Sequence, residues 1–199
     1  MRTLPPLVLL FLAACSSNWK FVSAENHPAL SDGAQIATFE RGRGAEHERK
    51  FDLRVDGKDI DAPTTDVVMD HARPIDSVDA AIAYSALVRE LGVVDAGVRG
   101  LIVRPDPTIE GPGSSGRYSR ADAAIWRIDF LPTGRPYSGG YEVTRVVLLP
   151  PMPHPFMPKV MTPWRLLQIR EVVFKDGTIK TVDEKTLSDG QDAVRFAEH

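Results

Sequence analysis

Three polar clusters in this chain have residue types that could carry chemistry. The run Gly111-Pro112-Gly113-Ser114-Ser115-Gly116 has the glycine spacing of a dinucleotide-binding loop. That chemistry needs a strand leading directly into the loop and a helix leaving it, so that free backbone amides meet a pyrophosphate. Here Pro105 and Pro107 interrupt the approach, and the residues that follow alternate as a strand would around Trp126. A surface loop is therefore the expected role, Arg117 and Arg120 add at most a weak anion contact, and no cofactor is expected. His47 between Glu46 and Glu48, and Asp66 with Asp70 and His71, supply nitrogen and oxygen ligands of the kind zinc takes. Neither has the fixed His-Glu-x-x-His spacing that sets two ligands on one helix face, so solvated charged loops are expected and no metal. A hydrolase could use Asp66 or Asp70 to orient His71. However, no serine sits in a Gly-x-Ser-x-Gly elbow, and no residue is assigned a catalytic role.

The lone cysteine stands apart from these clusters. Arg2 is the only charge before Cys15, and Leu4 to Ala14 form an uncharged apolar stretch with the length of a signal-peptide core, too short for the roughly 20 residues that span a bilayer. The stretch ends Leu12-Ala13-Ala14-Cys15-Ser16, which resembles the lipobox of bacterial lipoproteins: an aliphatic residue and two small ones before an obligatory cysteine. The resemblance covers residues 1 to 16. It implies that a leader, residues 1–14, is removed, that the Cys15 thiol receives a diacylglycerol, and that the new amino group is acylated, as with palmitate. It also implies that Ser16, standing where an aspartate would favour inner-membrane retention, directs the protein to the periplasmic face of the outer membrane. Two or three acyl chains hold essentially permanently, at about 0.8 kcal/mol per buried methylene. An ordinary secretory leader is the alternative. The absence of a second cysteine for a disulfide weighs against it.

Composition narrows the partners. With 24 basic and 27 acidic residues the net charge is −3, which gives no broad attraction to nucleic acid, and none is expected to bind. Membrane contact is expected through lipid on Cys15. A second contact is suggested by Pro150-Pro151-Met152-Pro153-His154-Pro155-Phe156-Met157-Pro158. Proline at this density fixes an extended path, which lowers the entropy lost on docking, and Met152, Pro153, Phe156 and Met157 would offer adaptable apolar contacts to an envelope protein. The competing structural role is a crossover joining two strands.

The elements that must position these residues are read from periodicity. Residues 15–34 are expected to be a lipidated tether, with Trp19 and Phe21 at the membrane interface. Lys50 to Val55 alternates, then meets Asp56-Gly57, a hairpin turn returning through Lys58 to Ile60. Asp76 or Ser77 caps a helix running to Leu91, with Gly92 as its stop. Its apolar face is Ala80, Tyr84, Leu87, Val88 and Leu91, which should lie on a sheet. Strands are expected over Val98 to Arg104, Ala124 to Phe130, Tyr141 to Leu149 and Trp164 to Phe174. The last turns at Asp176-Gly177, with Phe174 opposite Ile179, and returns to Val182. Residues 183–199 read as a charged tail, helical or disordered. The expected fold is α+β, one main helix on a predominantly antiparallel sheet, in a single domain over residues 35–182. Three functions are compatible: a non-enzymatic interaction or assembly component of the envelope, a periplasmic protein holding a small ligand in a cleft at Tyr84 and Leu87, and a hydrolase.

Overall fold

The computed structural model describes residues 19–42, 48–97, 101–102, 108–110, 131–149, 153–154, 157–161, 164–190 and 195–197. Two antiparallel sheets dominate these residues. The first is a meander of β1 (Lys20–Glu25), β2 (Ala34–Arg41), β3 (Glu48–Val55) and β4 (Lys58–Ile60), each strand paired with the next. Asp56 and Gly57 both take positive φ, 49° and 77°, as a two-residue turn between β3 and β4 requires, and Val55 pairs with Lys58. The short helix α1 (Thr65–Met69) follows. Its start is held by the Asp95 carboxylate, which accepts from the Thr65 amide and hydroxyl at 2.8 and 2.9 Å.

Among the described residues the one long helix is α2 (Val78–Glu90). Ser77 caps it, its hydroxyl oxygen accepting from the Ala80 amide at 3.1 Å, and Gly92 at φ 60° ends it. Beyond it come β5 (Leu101–Ile102), β6 (Thr108–Glu110), β7 (Thr133–Tyr137), β8 (Gly140–Leu149), β9 (Pro153–His154), β10 (Met157–Met161), β11 (Trp164–Phe174), β12 (Ile179–Gly190) and β13 (Arg195–Ala197). The second sheet has the order β12-β11-β8-β5, with β7 also paired to β8. Two small pairs, β9 with β10 and β6 with β13, complete the strands.

One apolar core joins both sheets. It brings Ile36 and Leu53 from the first, Leu30 from the connection between β1 and β2, Val68 of α1, Tyr84, Leu87, Val88 and Leu91 of α2, and Val143, Val173 and Ile179 from the second into a contiguous cluster. Of the expected apolar face of α2, Tyr84, Leu87, Val88 and Leu91 enter this cluster, while Ala80 does not and Ala81 takes the buried place. A second face, Val78, Ile82, Ser85 and Arg89 at i, i+4, i+7 and i+11, meets the second sheet. Burial on two faces explains why Ser85 and Arg89 are inside.

Several expectations are corrected. The fold is mostly β, with two multistranded antiparallel sheets where one was expected. The segment expected as a tether contains β1, paired to β2 from Lys20↔Glu40 to Glu25↔Ile36, so order begins well before residue 35. A register shift between Phe21 and Ser23 breaks the simple alternation that would have marked it. Residues 183–190, expected in a charged tail, extend β12 along the whole of β11, to Trp164↔Gly190. Lys180 to Thr186 are exposed, so this edge strand has no apolar face to show in sequence. The β11–β12 turn has three residues: Phe174 lies opposite Thr178 and donates its amide to the Thr178 carbonyl at 2.9 Å. Gly177 takes φ 83°, and Asp176 Oδ1 accepts from the Thr178 amide, closing the turn one residue later than a two-residue loop would. The strand expected over Ala124 to Phe130 and the glycine loop lie outside the described residues.

Candidate functional site

A buried group of ionisable side chains sits between α2 and the second sheet. Ser85 and Arg89 are one turn apart on the helix and share a face. Antiparallel pairing puts Glu171 of β11 opposite Val143 and Arg145 of β8 opposite Ile169, so the carboxylate and the second guanidinium are diagonal neighbours on the sheet face toward the helix. Arg89 grips Glu171 with both terminal nitrogens, Nη1 to Oε1 at 3.0 Å and Nη2 to Oε2 at 2.5 Å. The Ser85 hydroxyl donates to Glu171 Oε1 and accepts from Arg89 Nη1 at 2.8 Å. Arg145 Nε lies 3.6 Å from Glu171 Oε1, and its Nη2 donates to the Ile82 carbonyl at 2.7 Å.

Burial governs the electrostatics here. The side chains of Arg89 and Glu171 are 1% and 0% exposed, that of Arg145 4%. Burial pulls the Arg145 guanidinium down to about 10, with Glu171 opposing and Arg89 assisting, so at neutral pH it remains a cation. Two guanidinium groups thus share one carboxylate, and the Nε atoms of Arg89 and Arg145 make no hydrogen bond. A serine beside a carboxylate has the composition of a nucleophile and base. In this arrangement both carboxylate oxygens are already engaged and Ser85 is fully buried, so no substrate atom reaches the hydroxyl. What the cluster does is tie α2 to β8 and β11 through buried ion pairs and hydrogen bonds.

The residues singled out in the sequence are placed elsewhere. Tyr84 and Leu87 lie in the packed core, 1% and 0% exposed. The Tyr84 hydroxyl makes no hydrogen bond, and burial, helped by the Asp95 and Asp176 carboxylates, pushes it up to about 12. Asp66 and Asp70 are exposed on and beside α1; the Asp70 amide donates to the Asp66 carbonyl, while the His71 backbone carbonyl accepts from the Ser31 amide and hydroxyl. Their proximity is a property of the backbone. Among the described residues no three His, Cys, Asp or Glu side chains are grouped to hold a metal ion, and no helix is long and apolar enough to cross a membrane. Pro153 and Met157 fall in β9 and β10, which pair through His154↔Met157. The proline-rich run therefore lies within the link between β8 and β11, which are adjacent antiparallel neighbours; the crossover expected as its structural role is a long hairpin connection. Met152, Phe156, His47 and Cys15 lie outside the described residues.

A second constellation is on the surface. Phe21 and Phe39, paired across β1 and β2, meet edge to face at 5.7 Å and 71°. Arg54 Cζ lies 4.5 Å over the Phe21 ring, Arg41 Cζ 4.8 Å over Trp19, and Lys50 Nζ reaches both Phe39 at 5.1 Å and Trp19 at 5.8 Å.

The chain matches no protein family, curated protein or solved structure. The reading of the site thus rests on its own geometry. Neither constellation was singled out by motif. The signals for the buried one were charges interrupting apolar strands, Arg145 in Val143-Thr144-Arg145-Val146-Val147 and Glu171 in Ile169-Arg170-Glu171-Val172-Val173, together with Ser85 and Arg89 four apart on a helix. Those for the surface one were Trp19 and Phe21, whose partners Phe39, Arg41, Lys50 and Arg54 are visible only once strands pair.

Proposed function

We propose that the protein is a lipoprotein of the bacterial cell envelope, acylated on Cys15, held on the periplasmic face of the outer membrane, whose domain acts without catalysis as an interaction or assembly component. The observation that carries this reading is the sequence Leu12-Ala13-Ala14-Cys15-Ser16 at the end of an apolar leader, in a chain with no other thiol. Support for a non-catalytic role comes from the buried cluster, whose most reactive-looking hydroxyl is sealed between helix and sheet. The domain is in this reading an α+β unit of mainly β content, with α2 packed on an antiparallel sheet. The partner contact is assigned to the segment containing Met152, Pro153, Phe156 and Met157, which links β8 to β11.

Intact mass of the protein extracted from membranes tests the anchor. A chain beginning at Cys15 with a lipid-sized increment, absent in Cys15→Ala, is the expected result, whereas an unmodified chain cut elsewhere would make this a soluble exported protein. For the partner contact, deletion of Met152 to Pro158 should leave a folded domain that no longer co-purifies with an envelope protein. Unchanged co-purification would remove that segment from consideration.

A further inference from the structure

We infer that the face of the first sheet carrying Trp19, Phe21 and Phe39 lies against the phospholipid surface of the anchoring membrane. This rests on the acylation of Cys15 proposed above and adds to it an orientation of the folded domain. The argument begins with reach. From Cys15 to Trp19 is four residues, which span at most about 14 Å when fully extended, roughly half the ~30 Å thickness of a bilayer's hydrocarbon core. Because β1 starts at Lys20, folded structure begins almost as soon as the chain leaves the lipid. An acylated Cys15 sits at headgroup level, so β1 is held close to the surface whatever the domain does next.

Side chains decide which way the sheet turns. In the register of β1, β2 and β3, Ile36 and Leu53 point into the core, so Phe21, Phe39, Lys50 and Arg54 share the opposite face. Phe21 is half exposed there, at 49%, and its neighbour Val22, at the register shift, is 50% exposed. Tryptophan and phenylalanine beside arginine and lysine suit the headgroup region, where a ring has an apolar body to bury and a cation has phosphate within reach. Lys50 and Arg54 are already balanced: Lys50 Nζ is 2.9 Å from Asp52 and 3.4 Å from Asp61, and Arg54 Nε is 2.9 Å from Asp59. Rings therefore provide the attraction, and a neutral phosphatidylcholine surface is sufficient.

The test uses the mature lipoprotein purified from membranes and reconstituted into phosphatidylcholine vesicles, with and without phosphatidylglycerol. Val22, which has no Cα partner at the β1 register shift, is replaced in Val22→Cys, and Thr181→Cys marks the exposed β12 edge. Each variant is treated with a thiol-reactive nitroxide. A single label per chain by mass shows that the Cys15 thiol is blocked, and spin relaxation by a water-soluble nickel chelate then reports exposure. The expected result is loss of nickel accessibility at position 22 in both vesicle types, none at position 181, and recovery of accessibility at 22 when Trp19→Ala and Phe21→Ala are added. Equal accessibility at 22 and 181 with one label per chain would overturn the orientation while leaving the anchor intact. Protection only with phosphatidylglycerol would overturn its aromatic basis. Two labels per chain would remove the anchor and the orientation together.

Discussion

At the scale of single residues, Glu171 matters most because two buried guanidinium groups depend on it. Glu171→Gln keeps the shape and removes the countercharge, and leaving a buried charge unpaired costs about 3–5 kcal/mol. The midpoint of urea unfolding should fall accordingly. Replacing the cluster as a unit, with Ser85→Ala, Arg89→Met, Arg145→Met and Glu171→Leu, should recover most of that loss, since a packed apolar set carries no desolvation penalty. Recovery would show that the cluster adds little net stability; continued loss would show a net favourable network. His27 makes the pH prediction. Its Nδ1 accepts from the Ala29 amide at 3.1 Å, which requires that nitrogen unprotonated. Burial lowers the imidazole to about 4, even though Glu90 Oε2 lies 3.8 Å from Nε2 and favours the cation. The folded state thus prefers neutral His27, and between pH 6.5 and 4 the unfolded chain binds more protons. Stability from this group is present above about pH 6.5 and is lost as pH falls toward 4, by at most about 3 kcal/mol. His27→Gln, compared with wild type in urea titrations from pH 7.5 to 4, should show a shallower decline; parallel curves would remove His27 as the cause. None of these roles was readable in sequence, because a charge inside a strand and a histidine in a loop look solvated until the fold encloses them.

At the scale of elements, legibility followed the amount of local information. The helix from Ser77 carried its cap, most of its apolar face and its glycine stop within sixteen residues, and it forms over Val78–Glu90. The Asp56-Gly57 turn and strand β11 were equally local. β1 and β12 were not, since one is broken by a register shift and the other presents exposed side chains along Lys180 to Thr186; both are strands because a neighbour offers hydrogen bonds. The turn glycines separate backbone strain from packing. Gly57 at φ 77° has open space where a Cβ would go, so Gly57→Ala should cost only the left-handed penalty, about 1–2 kcal/mol. Gly177 at φ 83° would place a Cβ 2.5 Å from the Met69 side chain and 2.6 Å from the Tyr84 hydroxyl. Gly177→Ala therefore adds overpacking of about 1–3 kcal/mol to the same strain. Thermal unfolding of the two variants should show the larger drop in Tm at position 177. Equal drops would mean that α1 and the β11–β12 turn yield to each other without cost.

At the scale of the whole molecule, the decisive fact is that the two sheets share one interior. Composition and length pointed to a single body, but nothing local in the sequence shows that Leu53 of the first sheet and Val173 of the second belong to the same cluster as Leu87 and Val88 of α2. That link is made by a helix buried on two faces, apolar toward the shared core and partly ionic toward β8 and β11. A helix so placed cannot leave one sheet without exposing the other, so the domain should unfold in one step. Urea transitions followed by far-ultraviolet circular dichroism, which reads both sheets, and by amide exchange at Leu53 and Val173, which reads each sheet separately, should give the same midpoint. Glu171→Gln should move all of them together, because loosening α2 from the second sheet also opens the core it shares with the first. If the variant instead split the transition, with Val173 exchanging before Leu53, the ionic face of α2 would be the seam along which the molecule divides. The first sheet, nearest the proposed anchor, would then be the part that holds its structure on the membrane while the second sheet opens.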